Sequence, residues 1–124
     1  MDIQIKNLSV SFSSPQGDAK VLRDADIILK SEKITAIVGE SGSGKSILGA
    51  AVMGLLEQPV RVSGEILFGD TDLLSLSEKE LNSVRGSRIG WIAQDPVAAM
   101  DPMMKVGGQM MEGVHFYQDG NDTK

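Results

Sequence analysis

An α/β fold is predicted for this chain from three observations. Residues 34–38, Ile-Thr-Ala-Ile-Val, form an apolar run of strand type, and the glycine-rich residues 39–46 follow at once. Residues 47–56, which have the composition of a helix, come directly after the glycines. Ahead of them, residues 3–12 nearly alternate between apolar and polar, which is typical of a strand with one buried face. Together these segments predict a mixed fold with a strand, a glycine loop and a helix at its centre.

The other elements of the first half follow from local composition. The first strand is expected to be irregular near Asn7, where the alternation breaks. Residues 13–20 contain Ser-Ser-Pro-Gln-Gly-Asp and are predicted to be a loop, and residues 21–30 are predicted to be a second strand. Because residues 34–38 are continuously apolar, we expect a strand with both faces buried in a parallel sheet. The helix over residues 47–56 should stop before the next proline.

The second half of the chain is predicted to be a mixture of short elements. Residues 63–70 indicate a short strand and a turn. Residues 77–85 indicate a helix, because Ser77 and Glu80 have the spacing of a capping box. Residues 89–93 indicate another strand, which ends at Gln-Asp-Pro. After it the chain is Met-rich and is predicted to be partly helical.

Composition bounds the class of protein. With 124 residues the chain is one domain at most, and its 41% hydrophobic and 23% charged residues are ordinary for a globular protein. The net charge of -5 argues against nucleic-acid binding, which needs a basic face. The absence of cysteine excludes disulfides, a Cys-based zinc site and a thiol nucleophile. No stretch has the apolar core of a signal peptide or the length of a membrane span, so we expect a cytoplasmic protein.

The glycine-rich segment carries the chemistry. Residues 39–46, Gly-Glu-Ser-Gly-Ser-Gly-Lys-Ser, fit G-x-x-x-x-G-K-[ST], the P-loop that cradles nucleotide phosphates. Glycines let consecutive N–H groups turn inward, and the following helix offers its N-terminal N–H groups to the same anion. Lys45 is expected to reach the β- and γ-phosphates, and the Ser46 hydroxyl to bind Mg²⁺. The alternative is a chance match in a Gly-rich turn, which the flanking segments disfavour.

The order of the motifs resembles that of ABC-transporter ATPase subunits. An N-terminal β region, the P-loop, Val-Ser-Gly-Glu-Ile at residues 62–66 and Gln-Asp-Pro at 94–96 occur in the family's order. Residues 94–102 are similar to the oligopeptide, dipeptide and nickel importer branch, although Asp101 stands where that branch has Asn and Ala93 where an aromatic is common. The resemblance covers residues 3 to about 112. It implies a P-loop NTPase fold, the N-terminal half of an ABC nucleotide-binding domain with an antiparallel β region.

The resemblance implies ATP and Mg²⁺ as cofactors. Phe12 matches the aromatic that stacks on adenine, with an ordinary core residue as the alternative. Gln94 matches the glutamine that binds Mg²⁺ and senses the γ-phosphate, with a turn glutamine as the alternative. Glu40 is expected to stay in solvent and not to act as a base. The expected cofactor-binding residues are Phe12, Gly39, Glu40, Ser41, Gly42, Ser43, Gly44, Lys45, Ser46 and Gln94, and the metal ligands among them are Ser46 and Gln94.

Several motifs of the resembled family are not found. Val106-Gly107-Gly108-Gln109 is not its signature, because it lacks Leu-Ser and follows Gln94 too closely, and a turn before a helix is the better interpretation. His115 is not its switch histidine, and no apolar run ends in Asp-Glu. We therefore expect residues 1–124 to form part of a nucleotide-binding domain with no catalytic residue, one that binds ATP without hydrolysing it. Lacking the strand that pairs with residues 34–38 in that fold, it should be marginally stable.

The leading hypothesis is the energy-coupling ATPase subunit of a peptide or nickel importer. Its expected partners are transmembrane permease subunits, a second ATPase subunit and, indirectly, an extracytoplasmic solute-binding protein, and its expected place is the inner face of the cell membrane. Five methionines after Gln94 are either a surface for the permease or gap-filling core: Met100, Met103, Met104, Met110 and Met111. The alternatives are a non-catalytic nucleotide-binding fragment, a non-transport ABC ATPase and a small P-loop kinase.

Overall fold

The computed structural model describes residues 1–95 and 97–119. The chain divides into two compact units, an N-terminal unit, Met1–Leu81, and a C-terminal unit, Asn82–Lys124. The N-terminal unit contains the sheet, the glycine-rich loop and the helix that follows it.

An antiparallel sheet of four strands, in the order β2-β1-β3-β4, builds the N-terminal unit. The strands are β1 (Ile3–Ser14), β2 (Gly17–Leu29), β3 (Val60–Phe68) and β4 (Thr71–Asp72). The predicted loop over residues 13–20 is wrong, because both strands continue to a turn of two residues. The Ser14 hydroxyl donates to the Gly17 carbonyl at 2.8 Å across this turn, so the turn-forming residues bend the chain without ending the ladder.

The core lies on one face of this sheet. Its buried residues in β1 and β3 are Ile5, Leu8, Val10 and Ile66. Helix α1 (Lys45–Val52) contributes Leu48 and Ala51 to the core, and Met53 and Leu73 complete it. Helix α1 is shorter than the predicted helix over residues 47–56. It ends because Gly54, at φ 62°, turns the chain and donates its N–H to the Ala51 carbonyl at 3.0 Å.

A bulge at Asn7 shifts the register of β1, as the broken alternation predicted. Asn7 has φ 48°, and the register shifts against both β2 and β3 at this point. The carboxylate of Asp26 accepts the Asn7 N–H at 2.9 Å, which replaces the bond that the ladder loses. The bulge also closes on β3, because a Cβ at Gly64 would lie 2.5 Å from the Asn7 carbonyl oxygen. The pairing of β1 with β3 at the bulge therefore depends on a glycine at position 64.

The strand predicted over residues 34–38 is not formed. These residues have no strand partner within the described part of the chain, and Ile34 and Val38 are 101% and 88% exposed. The strand predicted over residues 89–93 is also wrong, since only Ile89 makes an isolated bridge, to Arg85, and Ile92 is 95% exposed. A central strand takes both its hydrogen bonds and its burial from neighbouring elements. Strand propensity alone does not supply either.

The glutamate half of the predicted capping box is formed at helix α2 (Glu78–Val84). The Glu80 carboxylate accepts the Ser77 hydroxyl at 2.6 Å and the Ser77 N–H at 2.8 Å. These two bonds, the hydroxyl first, hold the pKa of Glu80 below its usual range. Because a carboxyl with a lowered pKa stabilises the fold only while ionised, the cap is at full strength near neutral pH. It weakens as the pH falls through that lowered pKa.

The C-terminal unit contains helix α3 (Val106–Asp119), which confirms that the Met-rich part of the chain is partly helical. Through residue 114, none of its described side chains is fully buried. Turns stabilised by backbone and side-chain hydrogen bonds occupy the segment before α3.

We expect Gly64→Ala to destabilise the chain more than Gly17→Ala does. Both glycines have a positive φ, 104° and 121°, so an alanine at either position is strained by about 1–3 kcal/mol. Only at Gly64 would the new Cβ also meet backbone, the Lys6 and Asn7 carbonyl oxygens at 2.6 and 2.5 Å, whereas Gly17 has open space. Urea unfolding followed by circular dichroism measures both. Equal midpoints for the two variants would contradict the close packing at the bulge.

Candidate functional site

The glycine-rich loop, residues 39–46, closes around the ammonium group of Lys45. The Lys45 Nζ donates to the carbonyl oxygens of Gly39 at 2.8 Å and Glu40 at 2.6 Å, and to the Ser43 hydroxyl at 3.1 Å. The Ser43 N–H donates to the Glu40 carbonyl at 3.2 Å and tightens the same ring. All three acceptors of the ammonium are neutral. The loop therefore fixes the position of the cation without cancelling its charge.

Gly44 joins the loop to the sheet. It has φ 92°, a left-handed conformation that favours glycine, and is the N-cap of α1. A Cβ there would lie 2.6 Å from the Leu22 Cδ2 and 3.2 Å from the Val21 carbonyl oxygen of β2. Glycine is thus needed at position 44 for two reasons, the backbone turn and the contact with β2.

The start of α1 has the chemistry that favours an anion. The N-cap, Gly44, makes no side-chain hydrogen bond to the helix, and the first turn of the helix holds no acidic residue. The first four N–H groups of a helix have no partner within it, and they carry the positive end of its dipole. Lys45 and Ser46 are the first two residues of this turn, and Ser46 is exposed. The N-terminal unit thus has three groups at the start of α1: the positive end of the helix dipole, the Lys45 ammonium and the exposed Ser46 hydroxyl.

Phe12 lies on the core face of β1, half-buried, and is paired in register with Ala19 and Val60. It is two residues beyond Val10, whose partner on β2 is Leu22, the residue against which Gly44 packs. Phe12 and the start of α1 are therefore at the same end of the sheet. A half-buried ring at this end is compatible with a contact to a base and with an edge of the core, so its role stays a prediction.

Gln94 belongs to the C-terminal unit, whereas Phe12 and the loop belong to the N-terminal unit. Its side chain is exposed. It directly precedes a turn in which the Asp95 Oδ1 accepts the N–H groups of Val97 at 2.9 Å and Ala98 at 3.1 Å. Gln94 is thus followed directly by a hydrogen-bonded turn. Its assignment as a metal ligand remains a prediction.

Gln109 is a residue to which sequence reasoning gave no role. Its carboxamide accepts the Asp101 N–H at 3.0 Å and donates to the carbonyls of Asp101 at 2.8 Å and Met104 at 3.2 Å. The four-residue motif that ends in Gln109 was expected to be a turn before a helix, but it forms the first turn of α3, and the turn lies ahead of it. Asp101 followed by proline signalled the turn, but nothing in the sequence signalled its partner eight residues away.

The five methionines after Gln94 are exposed. Their exposed fractions range from 38% at Met104 to 90% at Met103. The alternative that they fill gaps in a core therefore finds no support in the described C-terminal unit. Their contact with a permease stays a prediction.

The donor set around the loop suits a metal ion that is shared with phosphate. Within residues 1–95 and 97–119, no three His, Cys, Asp or Glu side chains are grouped so as to hold a metal on their own. Mg²⁺ in nucleotide sites is bound by one or two protein oxygens together with phosphate oxygens and water, so it does not need such a group. In the N-terminal unit, the exposed hydroxyl of Ser46 is an oxygen ligand of the required kind. Gln94, in the C-terminal unit, carries an exposed carboxamide oxygen.

A loop closed on a lysine and joined to a helix N-terminus defines the class of P-loop nucleotide-binding proteins. Residues 22–122 match the sequence model of the family described as ABC transporter. The chain belongs to the ABC transporter family, which confirms the resemblance and the mixed α/β class, and this membership implies a nucleotide-binding domain.

Relatives of known name align with most of the chain. The oligopeptide transport ATP-binding protein OppD of Escherichia coli K12 is 43% identical over 117 residues, which are 94% of this chain and 35% of the relative. OppD of Bacillus subtilis 168 is 45% identical over 112 residues, 89% of this chain and 31% of the relative. The dipeptide transport ATP-binding protein DppD of Lactococcus lactis MG1363 is 41% identical over 119 residues, 95% and 34%. The chain thus spans about a third of the length of these relatives.

None of the helices formed by residues 1–95 and 97–119 is long and apolar enough to cross a membrane.

The contact between Gly44 and Leu22 is testable by a double-mutant cycle. We expect Gly44→Ala to lower the free energy of unfolding by about 1–3 kcal/mol, from backbone strain and from the clash with Leu22. Leu22→Ala opens the space that the new methyl group needs, so the double variant should cost less than the sum of the single variants. Urea titrations of the four proteins measure this. Strict additivity would show that the clash contributes nothing.

Proposed function

We propose that this chain binds Mg-ATP as part of the energy-coupling ATPase subunit of an ABC importer. The observation that carries the proposal is the Lys45 ammonium, held by three neutral acceptors at the N-terminus of α1. Peptides are the favoured solute, because the named relatives are oligopeptide and dipeptide transport proteins. Nickel is the other solute of the branch that residues 94–102 resemble.

Each proposed ligand contact follows from the chemistry of the side chain. The N–H groups of residues 39–46 and the Lys45 ammonium would bind the phosphates. The hydroxyl of Ser46 and the carboxamide of Gln94 would bind Mg²⁺, which neutralises charge on the β- and γ-phosphate oxygens when it is present. The ring of Phe12 would stack on adenine, since a flat apolar face suits a flat base.

Binding and hydrolysis are separate parts of the proposal. Hydrolysis needs a positioned water and a stabilised transition state in addition to a phosphate cradle. Among the predicted site residues none has the role of a base, and Glu40 is exposed with its carbonyl turned to Lys45. We therefore propose that residues 1–124 are part of a nucleotide-binding domain, that they hold ATP, and that hydrolysis belongs to the whole parent subunit.

The proposed partners follow from the same assignment. A subunit of this kind works with transmembrane permease subunits, a second ATPase subunit and, indirectly, a solute-binding protein, at the inner face of the cell membrane. The exposed methionines of the C-terminal unit support a contact with a permease, because unbranched thioether side chains adapt to a partner's surface. The net charge of -5 disfavours nucleic acid as a partner.

A non-catalytic nucleotide-binding fragment is the second candidate. It would make the same contacts with ATP and would differ only in never contributing to hydrolysis. A non-transport ABC ATPase is disfavoured, since the relatives above carry names of transport proteins.

Lys45→Ala should weaken ATP binding by about 10- to 100-fold, the cost of a hydrogen bond to a charged group. Calorimetric titration with Mg-ATP measures the affinity. Lys79→Ala is the matched control, because it removes the same charge from an exposed position of α2 and should leave the affinity unchanged. The P-loop assignment is wrong if both variants bind as the unsubstituted chain does.

Phe12→Leu separates base stacking from core packing. Leucine keeps much of the apolar volume and loses the ring, so we expect ATP to bind about 2- to 10-fold more weakly, the range of one aromatic contact. Inorganic tripolyphosphate has no base, and its affinity should not change. Equal losses for ATP and tripolyphosphate would instead indicate that Phe12 only supports the sheet beneath the loop.

A further inference from the structure

Gln109, in the first turn of α3, holds the turn that precedes the helix. All three of its side-chain hydrogen bonds go to backbone atoms of residues 101–104. Asp101 completes the same turn, because its Oδ1 accepts the Met103 N–H at 2.8 Å and its carbonyl accepts the Met104 N–H at 3.2 Å. Gln109 is partly shielded, whereas Met103 and Met110 beside it are 90% and 70% exposed. The amide is thus turned inward while its apolar neighbours face solvent.

Further hydrogen bonds, which start at Asp95 next to Gln94, order the described residues ahead of this turn. Asp95 accepts three N–H groups, those of Val97 and Ala98 on its side chain and that of Ala99 on its carbonyl at 3.2 Å. The Val97 carbonyl then accepts the Met100 N–H at 3.3 Å, and residue 101 follows at once. Successive turns therefore lead from Gln94 to the first turn of α3. A side chain attached to such a series keeps its position only while each turn is closed.

We propose that Gln109 is a positioning residue for Gln94. By holding residues 101–104 against α3, its carboxamide fixes the series of turns that begins at Asp95, and so limits where the Gln94 carboxamide can lie. The inference rests on the proposed function, because the proposed function is what gives Gln94 a role at the metal. Gln109 itself touches neither nucleotide nor metal, and it acts through the backbone alone.

The test uses the full chain with Gln109→Ala. Alanine favours a helix, so α3 should persist while all three bonds are lost. The Asp101 amide should exchange about threefold to tenfold faster, as expected for the loss of a net hydrogen bond. The Mg²⁺ concentration for half-maximal ATP binding should rise by a similar factor, with metal-free ATP affinity unchanged. Asp101→Asn is the matched control, because it keeps the Oδ1 acceptor for Met103 and should behave as the unsubstituted chain.

Gln109→Glu provides a second variant. It keeps an acceptor for the Asp101 N–H, but it turns a carboxylate toward two carbonyl oxygens, so it should show the same rise in Mg²⁺ requirement. Faster exchange with an unchanged Mg²⁺ requirement would overturn the positioning role and leave Gln109 a purely structural residue. Unchanged exchange would overturn the turn-holding role as well. If the unsubstituted chain does not bind ATP at all, the proposed function is wrong. If it binds ATP and only the Gln109 variants fail to behave as expected, the positioning role alone is wrong.

Discussion

The close approach of Gly44 to β2 is the contact on which the candidate site depends. It brings the end of the loop against Leu22 and Val21, which leaves no room for a side chain. Helix α1 begins at the next residue, so the same contact sets where its N–H groups and its positive end lie. Lys45 then reaches back to the carbonyls of Gly39 and Glu40 from a fixed origin. If the loop did not contact the sheet, neither the N-terminus of α1 nor the origin of the Lys45 side chain would be fixed.

The contact between Gly44 and β2 depends on irregularities in the sheet. The bulge at Asn7 displaces β1, and a second positive φ, 44° at Asp24, occurs in β2. Ser9 and Asp24 join the strands there, since the Ser9 hydroxyl donates to the Asp24 Oδ1 at 3.1 Å and accepts the Asp24 N–H at 3.0 Å. Because one inserted residue on each strand compensates the other, Val10 pairs with Leu22 and both remain on the core face. The position of Leu22, which Gly44 contacts, therefore depends on both irregularities together.

Features decided by neighbours along the chain were predictable from the sequence. The glycine-rich loop and the capping box at Ser77 and Glu80 depend on residues within a few positions of one another, and the break in alternation at Asn7 is itself a local signal. Features decided by distant partners were not predictable in this way. Residues 34–38 have the composition of a buried strand, but a strand exists only where another chain segment accepts its hydrogen bonds. The contact of Gly44 with Leu22 and the bonds of Gln109 to Asp101 likewise join residues that no local pattern relates.

The two units are stabilised in different ways, and this difference bears on function. The N-terminal unit has buried side chains from strands and a helix, as the proposed phosphate-binding role of its loop would require. The described side chains of residues 82–114 include none that is fully buried, and hydrogen bonds within short turns order this segment. Local bonds that are exposed to solvent open at a lower free energy than a packed core does. A side chain such as Gln94, placed on turns of this kind, can change its position without unfolding the unit that carries the loop. That is the property that the proposed response of Gln94 to a γ-phosphate would require.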